Sequence, residues 1–472
     1  MGCTNSSELP LNDHPKKNNN EIRNNLVTNN DTEIKNENNL IKEKLNNKEK
    51  NEKKEEGNND KLKNEINEYK NIKNIVTLKY YVETKGLTNI FGKDFVTKNK
   101  DKIDLLINNK SSILTEQSEL EEGENVITLI IKNDLINLSD MFFKCNSLKD
   151  YSELKYLDVS KAIYLDSMFF DCSSLTDLRP LENWNVSNVR SFQSMFERCL
   201  SLRDLSPLKN WNVSGGEVFG RMFFGCKKLS TLDGLENWNV SKGFDFSSMF
   251  SECSSLLIID SLKNWDVSNC SRFDAMFDRC SRLFNLRPLQ NWNVSNGKSF
   301  GLMFQVCKNL TNINPLANWN VSKSEDFSYM FNNCYELRII SSLANWNVSN
   351  CRSFCFMFSG CSYLLNFHPL KNWDVSNCTG FIGMFEDCSR ITSIDDLKNW
   401  NVSNGIYFNR MFYRCSNLYS IRPLLYWNVS NGISFNYMFG ECPSLTDISL
   451  LKNWNISKDS KDKLELITNS ID

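Results

Sequence analysis

Between residues 139 and 457, apolar residues occupy the same positions in every 27 residues. Tryptophan lies at 184 and at each 27th residue up to 454, and the motif Met-Phe-x-x-Cys recurs at the same interval from Met141 to Cys442. A strict period between 20 and 50 residues is typical of a solenoid, in which neighbouring repeats stack to bury a common core. Twelve copies of the motif predict a solenoid of twelve repeats.

One repeat, residues 175–201, reads LTDLRPLENWNVSNVRSFQSMFERCLS. Phe192, Met195, Phe196 and Cys199 lie at i, i+3, i+4 and i+7, a spacing that predicts one face of a short helix. The leucines at 175, 178 and 181 predict a short extended segment. Each repeat is therefore expected to contain one short strand and one short helix.

The phrase Asn-Trp-Asn-Val-Ser recurs beside this core and has two interpretations. Asn185, Val186 and Ser187 form an acceptor sequence for N-linked sugar. Alternatively, Asn183, Asn185 and Ser187 form a structural ladder with the core residue Trp184, because identical asparagines in stacked repeats can both donate and accept hydrogen bonds. Stacked repeats are roughly 5 Å apart, so sugars on every repeat would collide, which favours the ladder.

The cysteine column represented by Cys199 lies on the apolar face, which favours a buried, unreactive thiol. Disulfides between repeats in an oxidising compartment, or a metal site, are the alternatives. We expect reduced core cysteines and no metal.

In order, the Met-Phe-x-x-Cys, leucine and Trp-Asn-Val-Ser motifs resemble those of BspA-like leucine-rich repeat proteins, including mycoplasma lipoprotein-type surface proteins and large protist families. The likeness covers about 139–457. It implies a leucine-rich-repeat-like solenoid with a binding or adhesion role and no catalytic residues. The period of 27 is slightly long for that group, and Leu157 stands where the first repeat would have tryptophan, which suits an atypical end repeat.

The sequence outside the repeats divides into three parts. Residues 1–74 are rich in Asn, Lys and Glu and predict a disordered tether. Residues 75–138 contain runs rich in Val, Ile, Thr and Tyr, and predict a small β-rich cap with a hairpin at Asn108 and Asn109. Residues 458–472 predict a polar C-terminal tail or cap.

The N-terminal sequence MGCTNSS fits the pattern for myristoylation at Gly2, and Cys3 beside it is a site for a second acyl chain. Two acyl chains anchor a protein stably, whereas one alone does not. No apolar secretory segment precedes the repeats, so we expect a protein at the cytoplasmic face of a membrane, with the plasma membrane as the expected one. A coincidental match to this short pattern remains the alternative.

The predicted partner-binding face consists of variable positions around the second leucine of each repeat. Its polar residues follow that leucine directly, and its apolar residues lie just before it. The set is Arg179, Asp233, Asp260, Arg287, Asn314, His368, Asp395 and Arg422, with Phe284 and Tyr419 as apolar contacts.

The composition further restricts the classes of function that we expect. The net charge of −2 gives no field for nucleic acid. Two histidines, and no phosphate-binding loop or nucleophile motif, argue against an enzyme and any cofactor. We expect a scaffold that binds proteins along the solenoid and membrane through its acyl chains. An exported surface adhesin is the alternative, and the oligomeric state stays open.

Overall fold

A computed structural model of the chain describes residues 74–454 and residue 456. The predicted acylation sites Gly2 and Cys3, the tether up to residue 73 and the predicted tail at 458–472 lie outside the described residues. Asn74, the last residue of the predicted tether, begins the first strand.

The first part of the described chain is a small β unit. Five antiparallel strands form one sheet in the order β4-β3-β6-β1-β7, and β2 and β5 form a second sheet. The strands and the one α-helix are β1 (Asn74–Val82), β2 (Gly86–Asn89), α1 (Lys93–Asn99), β3 (Ile103–Ile107), β4 (Lys110–Ser112), β5 (Gln117–Leu120), β6 (Gly123–Ile131) and β7 (Leu148–Asp150).

This sheet confirms the β-rich cap that the sequence predicts. Residues alternate between buried and half-exposed along β6, as expected for a strand with one face on a core. The predicted hairpin joins β3 to β4, and both Asn108 and Asn109 have positive φ angles, as its tight turn requires. The helix α1 was not predicted from the sequence. The predicted boundary at 138 also differs, because β7 pairs with β1 from within the first repeat.

The repeats stack in parallel, one above the next. A single residue in each, from Asn137 to Ser434, forms a parallel β-bridge to its equivalent 27 residues away, and twelve repeats are joined this way. A second column of bridges connects Thr231 to Ile258, Asn312 to Ile339 and Ser393 to Ser420. The predicted solenoid is therefore present, but single bridges take the place of the predicted strand.

The predicted short helix is wrong. Between Phe192 and Cys199 the backbone forms consecutive tight turns, with Met195 N–H donating to Phe192 O and Cys199 N–H to Phe196 O. Alternate amides, those of Ser194, Phe196 and Arg198, donate to the next repeat instead, with Phe196 N–H donating to Met222 O. This alternation requires left-handed residues at two positions, Ser194 and Arg198 here, and both columns are left-handed in all twelve repeats.

The spacing led to the wrong prediction of a helix because a series of such turns also places residues i, i+3, i+4 and i+7 on one side. The two structures differ in where every second amide donates, within the segment or to the next repeat, and a pattern of side chains does not record that. The stacking of repeats decides it, because each N–H that points outward from a repeat meets a carbonyl of its neighbour.

Short 3-10 helices follow the leucine positions in most repeats. Nine of the eleven begin just after the second leucine or isoleucine, and the other two follow Tyr151 and Phe367. Many begin at a residue that precedes proline, which suits the first turn of a helix. Their bounds are Ser152–Tyr156, Arg179–Leu181, Ser206–Asn210, Asp260–Leu262, Arg287–Leu289, Asn314–Leu316, Ser341–Asn345, His368–Leu370, Asp395–Leu397, Arg422–Tyr426 and Ser449–Asn453. The repeat at Gly234 has none. There φ is +108°, and a Cβ would lie 2.2 Å from Leu205 O.

Three aromatic columns fill the core. Phe196 and its equivalents stack with ring centroids 5.3 to 6.0 Å apart, Phe192 and its equivalents form a second column, and the tryptophans form a third. The cap continues the first column, because Phe91 lies 6.2 Å from Phe142 and both are buried. The cap therefore covers the apolar end that the first repeat would otherwise expose to water.

Val306 provides a test of the left-handed columns. It is a β-branched residue with φ of 58°, at a position where Gly225 and Gly360 stand in other repeats. The left-handed region costs an L-residue roughly 1–2 kcal/mol, and glycine loses roughly 0.5–1 kcal/mol more backbone entropy on folding. We expect Val306→Gly to raise the free energy of unfolding by about 0.5–1 kcal/mol in urea titrations followed by tryptophan fluorescence. Val306→Ala keeps the Cβ and is the control; an equal gain in both variants would contradict the conformational explanation.

Candidate partner-binding face

The tryptophan and cysteine columns bond each repeat to the one before it. Trp184 donates its indole N–H to Leu154 O at 2.8 Å, and all eleven tryptophans make the equivalent bond, thirty residues back. Cys199 Sγ donates to Phe169 O at 3.2 Å, and eleven cysteines, Cys199 included, make the equivalent bond. Met195 and Phe196 are completely buried beside them.

The asparagines have different roles from those expected. Asn183 is exposed, and its side chain makes no hydrogen bond to another described residue. Asn185 Oδ1 accepts the N–H and the hydroxyl of Ser187, at 3.2 and 2.7 Å, within its own repeat. The predicted ladder between repeats through Asn183, Asn185 and Ser187 is therefore not what the structure contains. These bends are exposed, so their polar groups do not require partners in neighbouring repeats.

A different asparagine connects the repeats on this side. Asn188 Nδ2 donates to Ser160 O at 2.7 Å, and the equivalent bond is made by Asn269, Asn296, Asn350, Asn377, Asn404 and Asn431. We refer to these seven residues as the Asn column. In the sequence this residue is the last of Asn-Val-Ser-Asn, whereas the glycosylation pattern and the predicted ladder use the first asparagine.

The core thiols are shielded from solvent. All cysteines from Cys145 to Cys442 are free, and all but Cys355 are buried. Burial raises the pKa of Cys253 and Cys334 to about 12. The thiolate is the reactive form, so these thiols are inert near neutral pH. Within residues 74–454, no group of three or more His, Cys, Asp or Glu side chains is arranged to hold a metal ion.

The predicted partner-binding face lies where each 3-10 helix begins. Leu178 and Leu181 point into the core, while Asp177 and Arg179 lie outside it. Asp177 Oδ1 accepts the Arg179 N–H at 2.9 Å and so caps the helix, and polar residues make this bond in nine repeats. This capping column was predicted only as a variable surface position.

All ten predicted face residues are exposed. The eight polar ones occupy the first helical position of their repeats, except Asp233, whose repeat has no 3-10 helix. Phe284 and Tyr419 have 51% and 61% of their surface exposed. Stacking places these residues along one continuous strip, which we call the step face. It comprises the ten predicted residues together with Ile258, Ile339 and Leu365.

Apolar side chains on the step face come from neighbouring repeats. Ile258 and Phe284 belong to adjacent repeats, and Ile339 and Leu365 to another adjacent pair. Ile258 and Ile339 replace the polar cap residue, and each is more than 40% exposed. Large apolar side chains that face water, at positions where other repeats have a polar capping residue, are typical of an interaction surface.

The charges on the step face are mixed. Arg179, Arg287 and Arg422 are balanced by Asp233, Asp260 and Asp395, and His368 Nδ1 lies 3.1 Å from Asp396. Arg179 is also held by Asp177 at 2.7 Å. A balanced surface lacks the concentrated positive charge that phosphate backbones require. It is suited to proteins with patterned charges.

A cluster of one tyrosine and two arginines beside this face was not predicted from the sequence. Tyr363 lies between two guanidinium groups, with Arg338 and Arg390 at 5.0 and 4.0 Å from its ring centre. The three residues come from three successive repeats and two different columns. No single repeat carries the signal, so only the stacking reveals it. Tyrosine and arginine are enriched where proteins bind one another.

Three consecutive stretches of the chain, residues 119–232, 218–342 and 338–454, match the family described as Mycoplasma protein of unknown function, DUF285. The second and third stretches each span more than four repeats, and the three together cover more than two thirds of the 472 residues. The chain belongs to this family. The family match begins inside the cap, at β5, twenty residues before the predicted start of the repeats.

Other comparisons add little to the family. No curated protein matches the chain. Among solved structures, a leucine rich cell surface protein from Faecalibacterium prausnitzii A2-165 is similar at 14% identity, over 54% of this chain and 79% of that chain, with a TM-score of 0.22. The narrower likeness to BspA-like proteins stays a resemblance of motifs. Between residues 74 and 454, no helix has the length and apolarity needed to cross a bilayer.

Thiol accessibility can be measured directly. We expect iodoacetamide at pH 8 to alkylate Cys355 at least about tenfold faster than Cys334, because burial both covers Cys334 and raises its pKa to about 12. Peptide mass spectrometry of timed samples reports each site. In concentrated urea the two rates should converge. Fast native labelling of Cys334 would show that the cysteine column is open to solvent.

Proposed function

We propose that this protein is a non-enzymatic scaffold that binds protein partners along the step face. The exposed apolar side chains at Ile258, Phe284, Ile339, Leu365 and Tyr419 carry the proposal. They recur on a rigid array whose neighbouring residues bury their own apolar side chains completely. A preformed surface binds with little loss of conformational entropy.

The arrangement favours an extended partner over a small ligand. The apolar positions are distributed over seven successive repeats, from Ile258 to Tyr419, with polar residues between them. At roughly 5 Å per repeat, the strip is roughly 30 Å long, comparable to one side of a standard protein interface. Solenoids commonly present such elongated surfaces.

We also propose that acyl chains on Gly2 and Cys3 tether the scaffold to the cytoplasmic face of a membrane. The support is the sequence MGCTNSS alone, because both residues lie outside the described structure. Dual acylation supplies two hydrophobic anchors, which is the number that stable attachment requires. This anchor would hold the scaffold at the membrane.

The step face can be tested with two triple variants. We expect Phe284→Asp/Leu365→Asp/Tyr419→Asp to reduce capture of the native partners about tenfold or more, because it places charges in the apolar contacts. Affinity capture from the source cells with quantitative mass spectrometry measures this. Tyr407→Asp/Tyr426→Asp/Ile433→Asp is the matched control, since those residues are also more than 40% exposed but lie outside the step face. Equal losses in the two variants, with unfolding curves unchanged, would reject the face.

The anchor is tested by intact mass of the native N-terminal peptide, together with membrane fractionation. We expect a myristoyl mass on Gly2, and release of Gly2→Ala to the soluble fraction, because a single acyl chain does not anchor a protein stably. Asn5→Ala changes an unrestricted position of the same motif and should stay on the membrane. An unmodified N-terminus, or sugar on Asn185, would instead support an exported adhesin.

A further inference from the structure

The Asn column is interrupted in two successive repeats. Asn188 and its equivalents donate to a backbone carbonyl of the preceding repeat, but the next two positions after Asn188 hold Gly215 and Lys242. Glycine has no side chain to make this bond. Gly215 also belongs to the only Gly-Gly pair in the sequence.

A cavity of about 380 Å³ lies at this interruption. Gly215 allows a close approach there, because a Cβ on it would lie 2.7 Å from Ser187 O and 3.0 Å from Val189 O. We call this cavity the glycine gap; its walls include Lys161, Ser187, Arg190, Gly215, Glu217 and Lys242. Its volume is in the range of sites for small molecules.

The charge of the glycine gap is positive. Lys161, Arg190 and Lys242 contribute three cations, against one carboxylate on Glu217. Arg190 lies 3.9 Å from Glu217, which is too long for a hydrogen-bonded pair. Among the described residues, neither lysine has a carboxylate within 4.0 Å. The gap therefore contains positive charge that the protein itself does not balance.

The three cations are spread along the stacking direction. Lys161 and Lys242 belong to the same column as Asn188 and Gly215, and lie three repeats apart, roughly 15 Å between backbones. Long lysine side chains can reach inward from both ends, while Arg190 lies between them with a fork suited to phosphate oxygens. Two phosphoryl groups on one small molecule fit this spacing better than one.

We propose that the glycine gap binds a small molecule carrying two phosphoryl groups. One phosphoryl group contacts Lys161, the other contacts Lys242, and Arg190 donates to the oxygens nearest it. The chemistry is the same for a free sugar bisphosphate and for the head group of a phosphoinositide lipid. The site is separate from the step face and does not rest on the proposed protein-binding role.

The first experiment is calorimetric titration of the full chain, as Gly2→Ala to remove any acyl chain, with inositol 1,4-bisphosphate at physiological salt. We expect a saturable one-to-one isotherm. Lys161→Gln/Lys242→Gln should weaken binding about tenfold or more, because two charge-assisted contacts are lost. Lys323→Gln is the matched control: it lies in the same column, but its Nζ donates to Asn296 Oδ1 at 2.7 Å, away from the gap. Inorganic phosphate should bind more weakly than the bisphosphate.

A second experiment separates the two sources of ligand. Co-sedimentation with phosphatidylcholine vesicles containing phosphatidylinositol 4-phosphate, competed by the soluble bisphosphate, would assign a lipid head group. Binding of the soluble bisphosphate without vesicle binding would assign a free metabolite. Arg190→Gln replaces the double variant if urea unfolding shows that the latter is damaged. No saturable binding to either probe, or equal affinities in the gap variants and Lys323→Gln, would overturn the proposal.

Discussion

Buried hydrogen bonds between successive repeats are the constraint on which this structure depends. A tryptophan or cysteine that donates to a carbonyl thirty residues back fixes both the distance and the rotation between two repeats. Any shift in register would leave a buried carbonyl without a donor, and that costs roughly 1–3 kcal/mol for each group. The aromatic columns add dispersion and apolar burial, but they are compatible with small rotations. The directional bonds are what make the stack regular.

This regularity explains why core positions hold the same residue types in every repeat, whereas surface positions vary. Positions such as Trp184, Phe196 and Cys199 recur because each contacts its own equivalents above and below. Positions such as Arg179 face solvent and differ from repeat to repeat. The step face collects these unconstrained positions, so the fold can present a varied surface without changing its core. Function can therefore be altered by substitutions that leave the stacking untouched.

The sequence predicted the repeat architecture well because residue types that recur every 27 positions can be counted directly along the chain. It also placed the cap and its hairpin, since Asn108 and Asn109 suit a turn with positive φ angles. It did not predict the features that depend on contacts between repeats. The spacing around Met195 is compatible with a helix, but the amides of alternate residues bond to the next repeat. Asn188 and Tyr363 were missed for the same reason, because their partners lie in other repeats.

The backbone, tryptophan, cysteine and Asn-column bonds between repeats span between 26 and 30 residues, whichever repeat they start from. Removing or adding one block of 27 residues inside the array would leave every donor opposite an equivalent acceptor. Repeat number can thus change by recombination between copies at little cost to folding. What such an event would alter is the order of residues along the step face. Length variation in this kind of array is therefore a route to new binding surfaces in a single genetic step.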